Sequence, residues 1–431
     1  MAERTMGTFG RNNTESTTDT ETCKLQEREG GRAAWLTVAG SILVYYASFG
    51  VMNSFGFFQN YYSSDFLEET PPSTIAFIGT VQMALMNLLA ALSGALCDRY
   101  GVKYLYVGSG AGTVLALIML SFIHPGQLWL VLMTQGLLMG FTIAFGVQPA
   151  VTVVGQHFTE RRALAMGLVS TGSALGGIGF PLMFDQLLPR LGFPNSLRLA
   201  AVKIAVCYFV ALRISTSKPS GKPNRKGLNS LIDFKGFIDT RYAVLCIGTW
   251  LAILGLWIPA YYLKPYANSV YPGNKVSDYF LCMLNGSSII GATLGGFIGD
   301  QIGRLNLLWP ITLVSGCLCL FLWLLGNSMA TLIFFVCVYG FLTSNVTALP
   351  PSIIGHITPN EKLGARIGAF YSVIAIASLV GTPIGGALIT NHDTRDGYRW
   401  LIVFSGAALL IGSAFMFISR LLHDKALHTK W

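Results

Sequence analysis

A window of about 20 residues moved along the chain finds twelve apolar stretches long enough to cross a bilayer, separated by short polar turns. They cover about 33–60, 73–96, 104–123, 126–155, 163–188 and 196–214, then 241–264, 277–299, 306–325, 329–354, 364–389 and 398–420. The pattern predicts an all-α membrane protein of twelve transmembrane helices in two six-helix halves, 33–214 and 241–420. Residues 1–32 are polar, Thr-rich and mixed in charge, and read as a disordered cytosolic tail. A cleaved signal peptide would need an apolar stretch near the start. Residues 215–240 hold Lys218, Lys222, Arg225, Lys226 and Lys235 around Pro219 and Pro223, and read as a basic cytosolic linker. Residues 421–431 form a second cytosolic tail.

The two halves look like one unit written twice. Asp98-Arg99-Tyr100-Gly101-Val102-Lys103 ends the second stretch, and Asp300-Gln301-Ile302-Gly303-Arg304 ends the eighth. Gly155, Glu160, Gly167 and Pro181 are answered by Gly355, Glu361, Gly368 and Pro383, at offsets of 200 to 202. One acidic turn is a weak signal, but landmarks held in order at one offset argue for duplication.

Composition agrees with a life in lipid. Charged residues are 11% of 431, hydrophobic residues 52%, and the mean hydropathy is +0.55, against roughly 25% charge in a soluble domain. The net charge of +9 sits in short clusters between apolar stretches, with no aromatic-interleaved basic domain, so nucleic acid is excluded as a partner. With both termini inside, 22 of the 29 Lys and Arg fall on the inner side, which predicts cytosolic termini and a multi-pass protein of the plasma membrane. The sequons at Asn12, Asn285 and Asn345 then carry no glycan. Eight cysteines lie without CxxC or Cys/His spacing, so no metal is expected. Six histidines sit at helix ends, loops or the tail, and no Walker A motif is present, so neither an enzyme nor an ATP pump is expected, and no cofactor.

Twelve spans in two halves, with Gly94-Ala-Leu-Cys-Asp98-Arg99-Tyr-Gly101-Val-Lys103 after the second, resemble the major facilitator superfamily over residues 30 to 422. Three stretches look like its monocarboxylate porter family: Glu29-Gly30-Gly31-Arg32 before the first span, Asn53 to Tyr62, and Phe158 to Gly167 running into Gly172, Gly176, Gly177 and Pro181. The last two are similar to that family's fungal branch. The resemblance has departures. Animal members carry a lysine where Asn53 falls, and an Asp and Arg where Ser288 and Ala292 fall. These charges bind a carboxylate and a proton, so lactate-type transport does not carry over residue by residue.

The resemblance implies a central cavity faced by helices 1, 4, 7 and 10 and flanked by 2, 5, 8 and 11. Polar candidates deep in those spans are Asn53, Gln82, Asn87, Gln135, Gln148, Asn285, Asn345 and Tyr371. Interhelical hydrogen bonding is the competing reading for each amide. Among the aromatics of span 7, Trp257 and Tyr261 are candidates for an apolar wall, Tyr262 reads as an interfacial belt beside Lys264, and Pro259 as a kink. Lys203 reads as snorkelling to the outer surface, while Asp185, near the outer end of span 5, is the candidate for proton coupling.

By the same resemblance, the loop between helices 2 and 3 latches the halves on the cytosolic side. The candidate latch is Gly94, Asp98, Arg99, Gly101 and Lys103, with Asp300, Gly303 and Arg304 in the second copy, expected to be weaker or differently partnered because Gln301 replaces a base. Glycines at 291, 295, 299 and 303, at 172 and 176, and at 381 and 385 mark helix faces of close approach, read as sliding surfaces or as static packing. The function expected is a secondary active transporter of a small organic solute working by alternating access, preferentially exporting a secondary metabolite. Proton-coupled uptake of a monocarboxylate or vitamin-like solute and a non-transporting nutrient sensor are the alternatives. The expected partners are the lipid bilayer and the solute, with protons left open, and the expected state is a monomer.

Overall fold

The computed structural model describes residues 30–158, 161–217, 234–358 and 363–423. Of the 1–32 and 421–431 tails only residues 30–32 and 421–423 are described, and of the 215–240 linker only 215–217 and 234–240, where Phe234–Ile238 form a 3-10 helix and Thr240 opens α7.

Among the described residues the chain forms helices and no strand. They are α1 (Arg32–Phe66), α2 (Pro72–Leu88, resumed as Ala90–Tyr100), α3 (Val102–Leu120), α4 (Leu128–His157), α5 and α6 (within Arg162–Ile214), α7 (Thr240–Val270), α8 (Lys275–Ile302), α9 (Arg304–Trp323), α10 (Met329–Ile357), α11 (Leu363–Ala387) and α12 (Asp396–His423). Successive helices cross in opposite directions. The ends near Arg32, Tyr100, Arg162, Thr240, Ile302 and His423 therefore share one face, here the terminal face.

Three helices differ from their expected course. Between α5 and α6 the sequence suggested a loop at 189–195, but the chain reverses at one residue, Gly192, with φ 73° and ψ 170°. Glycine populates that region without steric cost, and Pro194 opens the following helix. α2 bends by 42° at Leu89. α7 breaks at Trp257, not at Pro259. A proline ring clashes with the carbonyl four residues back, so the break comes first and Pro259 falls in the first turn of the second segment, where its missing N–H is no loss.

Buried apolar side chains gather into two cores, one from Ala34 to Ala211 and one from Tyr242 to Met416 that also takes in Ala163 of α5. Trp257 and Tyr261 pack against both. Within the cores the duplication repeats contact by contact. A methyl group on Gly140 of α4 would meet the Gln82 carbonyl oxygen of α2 at 2.8 Å, and one on Gly340 of α10 would meet that of Leu284 of α8 at 2.3 Å.

The seam between the cores shows the same relation crosswise. A methyl group on Gly167 of α5 would meet the Ala292 carbonyl oxygen of α8 at 2.3 Å, and one on Gly368 of α11 would meet Ala91 Cβ of α2 at 2.3 Å. Gly167 and Gly368 are 201 apart, as are Ala91 and Ala292. A pseudo-two-fold axis therefore runs between the halves.

The four-residue glycine spacings pack inside a half rather than across the seam. Gly291 lies against Phe341 and Gly295 against Asn345, both of α10; Gly172 and Gly176 lie against α1; Gly381 and Gly385 lie against Leu254 and Ile258 of α7. The cross-seam contacts fall one helix position away, at Gly296 against Ala163 and at Gly177 against Asn285. Adjacent helix positions differ by about 100°, so one residue decides which neighbour a face meets.

Candidate functional site

Where the two cores meet, seven helices enclose a chamber of about 110 Å³. Tyr45 and Phe49 of α1 stack with ring centroids 5.8 Å apart, and Phe370 and Tyr371 of α11 meet edge to face at 5.3 Å. Met83 and Met86 of α2 and Trp257 of α7 extend this apolar wall. The polar part comes from Asn87 of α2, Gln148 of α4, Ser170 and Ser173 of α5, Thr249 of α7, Thr347 of α10 and Ser378 of α11. No Asp, Glu, Lys, Arg or His lines the chamber among the described residues.

Hydrogen bonding sorts these groups. Ser170, Ser173, Thr249 and Thr347 donate to carbonyls of their own helices at 2.7 to 3.0 Å, leaving their oxygens to accept only. Asn87 Nδ2 donates to Ser378 Oγ at 3.1 Å, a buried bond between the halves. The Gln148 amide and the Tyr45 and Tyr371 hydroxyls have no hydrogen-bond partner among the described residues. The chamber thus offers one free amide, two free phenols and several hydroxyl acceptors inside an aromatic wall. That set suits a flat, uncharged organic molecule with its own carbonyls and hydroxyls.

Both ends of the chamber are closed. Toward the opposite face Phe55 meets Tyr261 with centroids 6.2 Å apart, and a cleft of about 20 Å³ is lined by Met52, Asn53, Gly56, Met83, Trp257, Ala260 and Tyr261. Trp257 borders both spaces and partitions them. Toward the terminal face, below the crossed glycine contacts, the Asp300 carboxylate accepts from the N–H groups of Leu164 at 3.0 Å and Ala163 at 3.4 Å. These are first-turn donors of α5, where a helix dipole favours an anion. Arg304 grips the same carboxylate through Nη2 at 2.9 Å and Nε at 3.1 Å, and its Nη1 reaches the Ser352 carbonyl at 3.0 Å. One residue of the eighth helix thereby bridges the halves.

Of the sequence candidates, Asn87, Gln148, Trp257 and Tyr371 line the chamber, and Asn53 and Tyr261 line the outer cleft. The other amides lie outside both spaces. Gln135 accepts from the Tyr62 hydroxyl at 2.5 Å, Asn285 donates to the Leu281 carbonyl at 2.9 Å, Asn345 donates to the Gly291 carbonyl at 3.0 Å, and Gln82 is buried against α4. Tyr262 is no interfacial belt: it is buried and donates to the Thr382 carbonyl at 3.2 Å. Lys264 pairs instead with Asp278 at 2.8 Å, and both are exposed.

Asp185 lies exposed on α5, away from the chamber, and no ion pair joins it to Lys203 or Arg190 among the described residues. The Lys203 ammonium rests on the Tyr46 and Phe180 rings, 4.8 and 4.6 Å from their centroids. Cation–π contact with two rings holds it inside the first half in place of an acid.

In the first repeated turn, Gly94 packs α2 on Gln148 of α4, Arg99 lies over the Tyr100 ring at 5.2 Å, and Lys103 is exposed. The Asp98 side chain lies outside the described ones. Gly101 and Gly303 end their helices with φ of 79° and 105°, so the two turns share one backbone device. At the positions where helix 8 was compared with a charged family, Ser288 bonds to the Leu284 and Gly340 carbonyls, and Ala292 is pressed against Gly167. Ala292 is buried there.

The Ser and Thr residues, the methionines and Tyr45 were not picked out from the sequence. Small hydroxyls are common in apolar helices and satisfy themselves locally, so only their clustering in space marks them.

Three comparisons bear on this geometry. The profile described as Major Facilitator Superfamily matches residues 36–288 and 279–430. The chain is 33% identical over 397 residues to MFS transporter asaE of Aspergillus flavus, covering 91% of this chain and 88% of that protein. It is 32% identical over 388 residues to the Agnestins efflux protein AgnL12 of Paecilomyces divaricatus, covering 90% and 87%. In fold it is similar to the crystal structure of the human organic anion transporter MFSD10 (TETRAN), with a TM-score of 0.71 at 13% identity, covering 91% of this chain and all of that one.

Proposed function

Since this chain belongs to the Major Facilitator Superfamily, we propose that it exports an uncharged, ring-bearing secondary metabolite by alternating access around the central chamber. The observation that carries the substrate class is the lining: an aromatic and thioether wall with the free amide of Gln148 and free phenols of Tyr45 and Tyr371, and no charged residue among the described ones. Similarity to a protein named for agnestin efflux supports the direction. At about 110 Å³ the chamber is smaller than the 300 to 1,000 Å³ of ordinary ligand pockets. This is therefore an occluded state, and loading the solute requires the halves to part.

The terminal face is the cytosolic one in this reading, the membrane is the plasma membrane, and the subfamily is the fungal branch of the monocarboxylate porters. Asp300 acts as the latch that holds the cytosolic side shut, with Asp98 its counterpart in the first half. Among the described residues no carboxylate lines the chamber to couple protons, and Asp185 does not face it.

Vesicles of both orientations, incubated in an organic extract of the producing culture and analysed by mass spectrometry, test the reading. Accumulation of an extract component in inside-out vesicles, dependent on Gln148, is expected. Accumulation of lactate-like acids in right-side-out vesicles alone overturns it, and collapse of the pH gradient reports on protons.

A further inference from the structure

A second cavity, far larger than the chamber, opens on the terminal face. It measures about 830 Å³ and lies between the start of α5, the α8–α9 turn and the ends of α10 and α12. Four of its lining side chains are basic: Arg161, Arg304, His356 and His423. Among the described residues its one carboxylate, Asp300, is already engaged by Arg304 and the α5 backbone. Arg161 is exposed and makes no side-chain hydrogen bond or ion pair among the described residues. A guanidinium presented in this way is the chemistry that recognises a phosphate.

Apolar side chains complete the lining. Phe297 lines the cavity and also belongs to a stripe on α8 with Ile290 and Leu294, exposed by 48%, 57% and 45%. Positions 290, 294 and 297 share one helix face. In a membrane that face lies against acyl chains, so the cavity runs from a cationic mouth into the lipid-covered side of α8. A free anion would match only half of such a site. An amphipathic anion matches both.

We propose that this cavity binds the phosphate headgroup of an anionic phospholipid from the leaflet next to the termini, with an acyl chain along Ile290, Leu294 and Phe297. Basic pockets between membrane helices are suited to such headgroups. The site takes residues from α5 in the first half and from α8, α9, α10 and α12 in the second, beside the Asp300 bridge. A bound headgroup therefore ties the halves where the terminal face is closed and favours the occluded state.

The test uses the full chain in nanodiscs of phosphatidylcholine, titrated with dioleoylphosphatidic acid, with inorganic phosphate as a separate arm. Retained lipid is counted by native mass spectrometry and the thermal midpoint is followed. One phosphatidic acid is expected to be retained with a rise in the midpoint, and Arg161→Gln is expected to weaken retention about tenfold. Arg213→Gln, outside the cavity at the end of α6, is expected to leave retention unchanged. The midpoint in phosphatidylcholine alone shows that each variant is folded, and Phe297→Ser supplies a second weakening on the apolar side. Equal retention by Arg161→Gln and Arg213→Gln, or an equal midpoint rise with inorganic phosphate, overturns the proposal.

Discussion

At the terminal face the halves meet backbone to backbone, Gly167 on Ala292 and Gly368 on Ala91, with the Asp300 carboxylate pinned to the first turn of α5. At the opposite face they meet ring to ring, Phe55 on Tyr261, over a small cleft. The difference lies in how each contact yields. Hydrogen bonds to a charged group contribute about 1.5–3 kcal/mol each, while an aromatic pair adds about 0.5–1.5 kcal/mol beyond the area it buries. The terminal closure is therefore the firmer of the two and the more intolerant of added bulk. An exporter that loads from this side needs its solute to favour the open arrangement by differential binding, because equal binding to both states shifts nothing.

Gly167→Leu strikes the firm closure hardest. Its side chain occupies the space of the Ala292 carbonyl. Transport is expected to fall by about 100-fold or more, since the occluded state is lost at a cost of several kcal/mol. Membrane insertion is expected to be normal, which surface labelling checks. Asp300→Asn comes next. It keeps the shape but removes the charge held by Arg304 and the α5 N–H groups, and is expected to shift the population toward a parted terminal face by about tenfold or more. Spin labels on exposed Arg161 and Gln301, in a cysteine-free background, read this as a longer distance component.

Tyr261→Ala loosens only the ring contact. A few-fold increase in opposite-face opening is expected, about 0.5–1.5 kcal/mol. It is read as faster thiol labelling of Asn53→Cys in the outer cleft. Lys264→Gln removes an exposed ion pair on that same face and is expected to change neither transport nor the labelling rate, because such pairs contribute about 0–1 kcal/mol. An effect of Lys264→Gln as large as that of Asp300→Asn would erase the proposed difference between the faces.

The duplication that the sequence shows at Asp98 and Asp300 reappears in the packing, with Gly167 and Gly368 related by 201 residues across the seam. Such landmarks were legible because each is a fixed residue type at a fixed offset. Facing was not. The glycine spacing at 291 and 295 is visible in the sequence, yet the seam uses Gly296, one position on. Asn87 and Asn345 look alike as amides in apolar spans, but one borders the chamber and bridges to Ser378 while the other holds the Gly291 carbonyl. Gln301 suggested a second turn that is weaker or differently partnered. Asp300 binds the opposite half through backbone donors, which no side-chain pattern displays.

The central claim is export through the chamber. Its most direct test is to delete the gene in producing cells and compare, by untargeted mass spectrometry, the metabolites held inside with those released. One or more uncharged aromatic products are expected to be retained in the cells and depleted from the medium. Re-expression of the wild-type chain is expected to restore the partition, and Gly167→Leu is not. An unchanged partition of every such product, with the wild-type chain shown to reach the surface, would contradict the account.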